Sequence, residues 1–183
     1  MLKGAYGIYH QMIRRINERS LYLSVPETWA LANETIPVLR SDHYIAGVTL
    51  SKNDWTLDIE GYHKYERGAI EFLFPEFGNP TANLEQFGVG GNRRIFGVDA
   101  LLKYSFGNQN FMLSYSYLNA QSRYDEVNNG QFFRSSGFAE NEFNLIYTKR
   151  VKRWEFSATL VAASGLPYTP VLGTFVVTLP NGD

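Results

Sequence analysis

The chain has 183 residues, of which 44% are hydrophobic, and its formal net charge at pH 7 is −1. This length suffices for one domain with a sizeable core, and a net charge near zero argues against a nucleic-acid-binding protein. The sequence has no cysteine, which excludes disulfide bonds, thiolate metal sites and cysteine nucleophiles. Aromatic residues make up 15% of the chain and 16 residues are glycine, a composition that favours strands over helices.

Seven segments alternate apolar and polar side chains, which is the pattern of a β-strand with one apolar face. In chain order the predicted strands are Leu2–Met12, Asp42–Ser51, Asp54–Tyr65, Asn92–Phe106, Asn110–Gln121, Ala139–Arg150 and Arg153–Ser164. Their lengths match or exceed the roughly 9–11 residues with which a tilted strand crosses a bilayer, and exceed the ~5–6 residues usual in soluble sheets. No apolar run of about 18 residues is present, so no transmembrane helix is predicted.

The connections between these strands alternate between short and long. Tight turns are predicted at Lys52-Asn53, Asn108-Gln109 and Val151-Lys152, whereas long connections run from 13 to 41, from 66 to 91, from 122 to 138 and from 165 onward. In an up-and-down sheet this alternation collects the short turns at one end and the long loops at the other. Loops longer than ~12–15 residues are uncommon in compact domains, but transmembrane β-barrels of the bacterial outer membrane have this asymmetry.

The parity of the residue numbers supports three β-hairpins. A two-residue turn pairs residues whose numbers sum to an odd constant, so an apolar face on even positions must continue on odd positions beyond the turn. In the second hairpin Leu102 and Tyr104 precede the turn and Phe111 and Leu113 follow it, as this rule requires. The other two hairpins follow the same rule. A slip of one residue would break the pattern in each of them.

Alternation by itself leaves open whether the apolar faces contact lipid or a protein core. Rings lie near the ends of these faces, where membrane barrels carry aromatic girdles; they are Tyr44, Trp55, Phe106, Phe111, Tyr117 and Trp154. The opposite faces carry many charged and hydroxyl side chains. Together with the loop asymmetry, this pattern favours an all-β fold, an antiparallel up-and-down transmembrane β-barrel segment of about seven strands. Lipid is expected outside and a polar lumen inside.

Several segments resemble barrel strands of TonB-dependent outer-membrane receptors, especially those of Bacteroidota. The stretch NEFNLIYTKRVKRWEFSATLVAASGLPYTP at 141–170 is similar to late strands of these barrels, and its Ser-Gly-x-Pro-Tyr-Thr segment occupies 164–169. LDIEGYHKY at 57–65, GVDALLKYSFG at 97–107 and FMLSYSYLNAQSRYDEVNNGQFF at 111–133 are similar to other strands of the family. The order and spacing of these segments carry the resemblance, which extends from Leu2 to Pro170.

The resemblance implies a barrel of about 22 strands that is plugged by an N-terminal domain. Such a protein imports a nutrient such as a siderophore, glycan or peptide, with energy from the TonB complex. The expected partners are outer-membrane lipid, the plug domain, the TonB complex through the plug, a surface lipoprotein and the nutrient, with no nucleic acid. No plug is recognised, and the final VVTLPNGD lacks the terminal aromatic residue of such barrels. Residues 1–183 are therefore expected to be a fragment of a barrel domain in the outer membrane of a Gram-negative cell.

The candidate ligand-binding residues lie in the predicted lumen and long loops: Trp29, Glu60, Lys64, Arg93, Tyr124, Phe132 and Phe133. Aromatic faces on loops suit sugars or aromatic siderophores, although the same rings could pack loop on loop or meet a lid protein. Glu60 and Lys64 are interpreted first as paired charges on a lumen wall, and second as contacts to the plug or substrate. Arg93 is expected at the extracellular entrance of a strand.

No residue constellation predicts catalysis, a cofactor or a metal. GVGGNRRIFG at 88–97 has the glycines of a phosphate-binding loop, but a strand follows it where such a loop requires a helix. His10, His43 and His63 fall on three different predicted strands without ligand-like spacing. No Ser-His-Asp arrangement is visible, so the chain is not expected to be an enzyme.

Two other functions remain open at this point. A complete small outer-membrane barrel, with an adhesin or structural role, requires an eighth strand, for which Gly173–Leu179 is the candidate. A soluble lipocalin-like binding barrel requires Trp55, Leu113 and Phe156 to face an apolar interior. These functions differ from that of a receptor in how the sheet closes and in which face meets water.

Overall fold

The computed structural model of the protein describes residues 1–16, 28–72, 88–135 and 137–166. Over these residues the protein is all-β, and its one helical element is a short 3-10 turn, Asn128–Gly130. The strands are β1 (Leu2–Gln11), β2 (Ile13–Ile16), β3 (Thr28–Leu31), β4 (Leu39–Lys52), β5 (Trp55–Phe72), β6 (Gly88–Phe106), β7 (Gln109–Tyr124), β8 (Phe133–Arg134), β9 (Asn141–Val151) and β10 (Trp154–Ala163). None of the described segments is a helix long and apolar enough to span a bilayer.

Seven of these strands form one antiparallel sheet in the order β1-β4-β5-β6-β7-β9-β10, and the short β8 pairs with β7. Each strand of this order pairs with the next one along the chain, so the topology is up-and-down. The seven predicted strands are confirmed. β1 and β10 lie at the two edges of the sheet and do not pair with each other, so the described sheet is open. β2 and β3 form a separate two-stranded ribbon.

Each of the three tight turns is displaced by one residue from its predicted position: the first and third lie one residue later, and the second lies one residue earlier. They consist of Asn53-Asp54, Gly107-Asn108 and Lys152-Arg153, because Lys52 pairs with Trp55, Phe106 with Gln109 and Val151 with Trp154. Moving both turn residues by one position changes the sum of the two paired residue numbers by two. The sum therefore stays odd, and the predicted parity is confirmed. The first residue of each turn has a positive φ: 51° at Asn53, 54° at Gly107 and 54° at Lys152. Glycine and asparagine adopt this conformation at little cost.

One face of the sheet, the apolar face, carries a continuous band of apolar side chains. At its centre six leucines form a single cross-strand row from β4 to β10: Leu50, Leu57, Leu102, Leu113, Leu145 and Leu160. The next row contains Val48, Ile59, Ala100, Tyr115 and Phe143. The band is open to solvent, since Leu50 is 57% and Leu160 is 54% exposed.

Aromatic side chains border this band on both sides. At the short-turn end of the sheet, which carries the three tight turns, Trp55 stacks on Tyr104 with ring centroids 4.0 Å apart. The rows at this end also contain Phe106, Phe111, Tyr147, Trp154 and Phe156. At the opposite, long-connection end, the bordering row consists of Tyr6, Tyr44, His63 and Phe96. The apolar face therefore has rings at both of its ends, as the sequence predicted.

The other face of the sheet, the polar face, carries charged and hydroxyl side chains. Lys3 Nζ lies 2.8 Å from Asp58 Oδ1 and 3.0 Å from Glu60 Oε2. The Thr49 hydroxyl donates to Asp58 Oδ2 at 2.9 Å. Glu60 is thus paired with an opposite charge, but the partner is Lys3 on the neighbouring edge of the sheet rather than Lys64.

The buried apolar residues of the described chain gather at the long-connection end. They are Ala30, Ile36, Ala69, Ile95, Ala120 and Tyr124. Four of the six lie on the polar face of β5, β6 and β7, and the other two come from β3 and the segment that follows it. The rest of the sheet has no comparable core, so most of its length is a single layer.

Several residues that were expected in loops lie in strands instead. β5 continues to Phe72 and β6 begins at Gly88, so both ends of the predicted 66–91 connection belong to strands. The remaining residues of that connection, 73–87, lie outside the described ranges. Tyr124 belongs to β7, Phe133 to β8 and Trp29 to β3. A β-bulge between Arg67 and Ala69, with Gly68 at φ 72°, allows the β5–β6 ladder to continue. Backbone hydrogen bonds between neighbouring strands continue beyond the residues that alternate between apolar and polar side chains. The predicted eighth strand, Gly173–Leu179, lies outside the described residues.

Paired cysteines test this register, because the native chain contains no cysteine. Leu102 lies directly opposite Leu113 across β6 and β7, whereas Leu102 and Tyr115 are diagonal neighbours. Opposed Cβ atoms lie ~4.5–5.5 Å apart and diagonal ones ~7–8 Å. We expect Leu102→Cys with Leu113→Cys to form a disulfide on mild oxidation, and Leu102→Cys with Tyr115→Cys to form much less. Peptide mass spectrometry measures both yields, and a higher yield for the diagonal pair would contradict the register.

Candidate functional site

A cluster of polar side chains lies on the polar face at the long-connection end of the sheet. It consists of Arg14, Glu66, Arg93, Ser122, Tyr124 and Ser135, and is called the arginine–tyrosine cluster below. In the sheet register Glu66 lies opposite Arg93, and Arg93 lies opposite Ser122. Three adjacent strands therefore contribute one continuous polar row. Tyr124 on β7 and the chain around β2 and β8 add the remaining members.

Arg93 joins the members of this row. Its Nη1 lies 3.3 Å from Glu66 Oε2, and its Nε donates to Ser122 Oγ at 3.4 Å. The Ser122 hydroxyl lies 2.7 Å from the Ser135 hydroxyl, and both serines are buried. These contacts hold the Arg93 guanidinium between β5 and β7.

Arg14 reaches the cluster from the β2–β3 ribbon. Its Nη2 donates to the carbonyl oxygens of Pro37 at 2.9 Å and Gly68 at 2.6 Å. Asn33 Oδ1 accepts a hydrogen bond from the backbone N–H of Ile36 at 2.8 Å, and this turn places Ile36 in the core at 0% exposure. Arg14 thus connects the ribbon to the bulge of β5.

The cluster holds more positive than negative charge. The cluster contains two guanidinium groups, of Arg14 and Arg93, and one carboxylate, that of Glu66, which is paired with Arg93. Arg14 is only 8% exposed. Burial lowers the pKa of Arg14, and the positive charge of Arg93 lowers it further, whereas Glu66 and Tyr124 act in the opposite direction. Because burial also makes an unbalanced charge costly, this site favours the arrival of a negative group.

Two buried polar groups of the cluster have no hydrogen-bond partner within the described structure. They are the Tyr124 hydroxyl and Arg14 Nε, and Tyr124 as a whole is 1% exposed. Leaving a buried hydroxyl unpaired costs about 1–3 kcal/mol. Both groups can donate a hydrogen bond, so an acceptor oxygen placed between them would remove this cost.

The chemistry of the cluster is that of an anion-binding site. Guanidinium and hydroxyl donors suit a carboxylate or a similar oxygen anion, because charge-assisted hydrogen bonds are the strong ones. Within the described ranges no three His, Cys, Asp or Glu side chains gather as metal ligands. The donors of the cluster therefore match a negatively charged group.

The structure brings three of the predicted site residues together: Arg93, Tyr124 and Phe133. Phe133 lies opposite Ser122 in the β7–β8 pairing, and its ring centroid is 6.0 Å from that of Tyr124. Phe132 lies apart from them, beneath Arg94, whose guanidinium carbon is 4.1 Å from the ring centroid.

The other predicted site residues lie outside the cluster. Trp29, on β3, is 59% exposed. Glu60 belongs to the ion pair with Lys3, and Lys64 Nζ lies 5.0 Å from the ring centroid of Tyr62 on its own strand. The expectation that Arg93 marks a strand entrance was wrong, because β6 begins five residues earlier, at Gly88. The continued β5–β6 ladder accounts for this difference.

Four residues of the cluster were missed by reasoning from the sequence: Arg14, Glu66, Ser122 and Ser135. A signal for Glu66 was present, since it continues the even-numbered polar positions Glu60, Tyr62 and Lys64 of the same strand. No comparable signal marks Arg14, because it reaches the cluster only through the fold of the ribbon.

Comparison with known proteins identifies no relative of this chain. No family model, no curated protein and no solved structure matches it. The function is therefore argued from the two faces of the sheet and from the chemistry of the cluster.

The unpaired hydroxyl distinguishes a binding role for Tyr124 from a structural one. We expect Tyr124→Phe to leave the free energy of unfolding unchanged or slightly raised, because the variant removes a buried group that has no partner. The matched variant Ser122→Ala should lower this free energy by about 1–3 kcal/mol, since it leaves the buried Ser135 hydroxyl unpaired. Urea unfolding followed by circular dichroism measures both. An equal loss of stability in the two variants would mean that the Tyr124 hydroxyl already has a partner.

Proposed function

We propose that the protein is a segment of the β-barrel of a TonB-dependent outer-membrane receptor, which imports a nutrient. The apolar face contacts lipid, and the polar face lines the lumen. The observation that carries this proposal is the exposed apolar band, centred on the leucine row and bordered by aromatic rows on both sides. Transmembrane β-barrels present such a band between two aromatic girdles.

The dimensions of the band fit a bilayer. On β6 the apolar face runs from Phe96 to Phe106, which are 49% and 59% exposed, and none of the residues that share this face between them is charged. Ten residues at about 3.4 Å each span about 34 Å along the strand. At a tilt of about 40° this is about 26 Å along the membrane normal, close to the ~25 Å apolar band of such barrels.

The open edges of the sheet support a barrel larger than the described strands. β1 and β10 each leave one ladder edge without a partner among the described residues. Unpaired backbone N–H and C=O groups are not tolerated in the hydrocarbon region of a bilayer. The proposal therefore requires further strands that pair with both edges, as a barrel of about 22 strands would provide.

The arginine–tyrosine cluster supports a role in binding on the lumen side. It lies on the polar face at the long-connection end, which faces the cell exterior in this proposal. A nutrient with a carboxylate group, or a segment of the plug, would supply an acceptor for the unpaired donors of Arg14 and Tyr124 and a counter-charge beside Arg14 and Arg93. Phe133 adds an aromatic surface beside the same site.

Quenching of tryptophan fluorescence by brominated lipid tests the orientation of the sheet. The variant Trp29→Phe leaves Trp55 and Trp154, which both lie on the apolar face at the short-turn end. We expect strong quenching of these two residues after the protein is reconstituted in vesicles. A lipocalin-like barrel would place both rings inside the protein, so absence of quenching in a folded protein would contradict the proposal.

Two neighbouring leucines on β6 provide a matched pair of variants. Leu102 lies on the apolar face between Leu57 and Leu113, whereas Leu101 lies on the polar face between Asp58 and Ser114, and both are half-buried. We expect Leu102→Lys to reduce the stability of the vesicle-inserted protein by about 2–4 kcal/mol, the cost of a lysine at the lipid face near the bilayer midplane. Leu101→Lys should cost much less, because its side chain meets the lumen.

The stability of the inserted protein is measured by urea titration of folding into vesicles, with heat-modifiable migration on gels as the readout. Equal costs for the two variants would contradict the assignment of faces. Recovery of the unmodified protein as a folded monomer without lipid or detergent would contradict membrane insertion itself.

A further inference from the structure

Five arginines lie on the apolar face just beyond the aromatic row at the long-connection end. They occupy two adjacent cross-strand rows and are called the arginine belt: Arg40, Arg67, Arg94, Arg123 and Arg134. In one row Arg40 lies opposite Arg67, and in the next Gln121 lies between Arg94 and Arg134. The belt lies on the same face as the leucine row. At the long-connection end, the exposed apolar band is therefore followed by positively charged side chains.

Like charges meet directly within this belt. Arg40 and Arg67 are opposed across β4 and β5, and opposed like charges destabilise a sheet. Asp42, which is 4% exposed, lies between them, with Oδ1 3.0 Å from Arg40 Nη2 and Oδ2 3.3 Å from Arg67 Nη1. One carboxylate thus serves two guanidinium groups, and Arg40 Nε is buried without a hydrogen-bond partner.

Of the remaining arginines of the belt, Arg94 and Arg134 have partners in the described structure, and of these two only Arg134 is paired with a carboxylate. Arg94 Nε donates to Gln121 Oε1 at 2.7 Å, and its guanidinium stacks on Phe132. Arg134 Nη2 lies 3.1 Å from Glu140 Oε2. Among the described residues no carboxylate pairs with Arg94 or Arg123. Within the described part of the chain, five positive charges therefore meet two carboxylates, those of Asp42 and Glu140, which leaves an excess of three on this part of the apolar face.

We infer that the arginine belt binds phosphate groups of anionic lipid headgroups in the leaflet at the long-connection end. This inference rests on the proposed function, because it requires the apolar face to contact lipid. The belt then lies at the depth where headgroups lie, directly beyond the hydrocarbon-facing rings Tyr44 and Phe96. Guanidinium groups bind phosphate in a bidentate manner, and such phosphates would supply the missing negative charge.

The position of the belt favours lipid over a dissolved partner. A lumen ligand would meet the polar face, yet the neighbouring residues Arg93 and Arg94 point to opposite faces by strand alternation, and only Arg93 joins the arginine–tyrosine cluster. The net charge of the whole chain is −1, so attraction to an anionic surface has to come from this local excess. A basic cluster beside a membrane-inserted surface is a recognised form of lipid binding.

Vesicles of two compositions test the inference. The complete barrel that contains this chain, in which further strands pair with β1 and β10, is folded into vesicles of phosphatidylcholine alone and into vesicles with about one third phosphatidylglycerol, and partitioning is measured by flotation. The belt variant combines Arg94→Gln with Arg123→Gln, which removes two positive charges and leaves the Asp42 pairs intact. The matched control combines Lys103→Gln with Arg150→Gln, which removes two positive charges from the polar face.

We expect the native chain to prefer the anionic vesicles and the belt variant to lose this preference by about 25-fold, at about fivefold for each arginine. The control should change it by less than about twofold, and all three proteins should insert equally into neutral vesicles. Inorganic phosphate, compared with chloride at equal ionic strength, should not compete.

Four results would overturn the inference. An equal loss in the control would show that overall charge, rather than the belt, drives the attraction. Competition by inorganic phosphate would assign the belt to a dissolved anion. Insertion of the native protein into both vesicle types with equal affinity would contradict the lipid specificity but not the proposed function. Failure to insert into either vesicle type would contradict both the lipid specificity and the proposed function.

Discussion

Side-chain alternation along a continuous antiparallel ladder is the constraint on which the rest of the structure depends. Because every main strand pairs with the next in a register that keeps parity, most apolar side chains of the seven strands fall on one face, and six leucines align in one row. Few described apolar residues are buried, and they gather at one end of the sheet. Burial of protein against protein therefore cannot supply most of the hydrophobic stabilisation that a folded domain needs. Lipid contact, the premise of the proposed function, would supply it.

The net charge of the chain is close to zero, but the same ladder places positive and negative side chains in different regions of the two faces. Lys3 with Asp58 and Glu60 forms an acidic group in the middle of the polar face. The arginine–tyrosine cluster at the long-connection end of that face is positive and contains unpaired donors. The arginine belt lies on the opposite face, although Arg93 and Arg94 are consecutive in the chain. Function in this protein is therefore argued from the face and row of a residue, because the total charge and the local sequence motif do not distinguish these environments.

The sequence predicted the seven main strands, their up-and-down order and the side chains on each face, because these features repeat with the strand period. It misplaced each turn by one residue, two of them early and one late, and the parity of the paired residue numbers does not detect such an error. Within the candidate site it selected Arg93, Tyr124 and Phe133, but for a reason that the structure corrects, since Tyr124 and Phe133 lie in strands rather than loops. The contact of Arg93 with its carboxylate partner could not be predicted. It depends on the β5–β6 register beyond the tight turns, which alternation alone does not define.

The sequence by itself determined which residues can share a face, since the period of a strand is a local property of the backbone. Only the tertiary structure decided which residues become neighbours across strands. The bulge at Gly68 keeps the β5–β6 ladder in place as far as Phe72, and the fold of the ribbon brings Arg14 to Gly68 from 54 positions away. Such contacts depend on the relative positions of several strands and connections, and these positions cannot be predicted from a local sequence pattern. For this reason the faces were predictable, whereas the arginine–tyrosine cluster and the arginine belt had to be read from the structure.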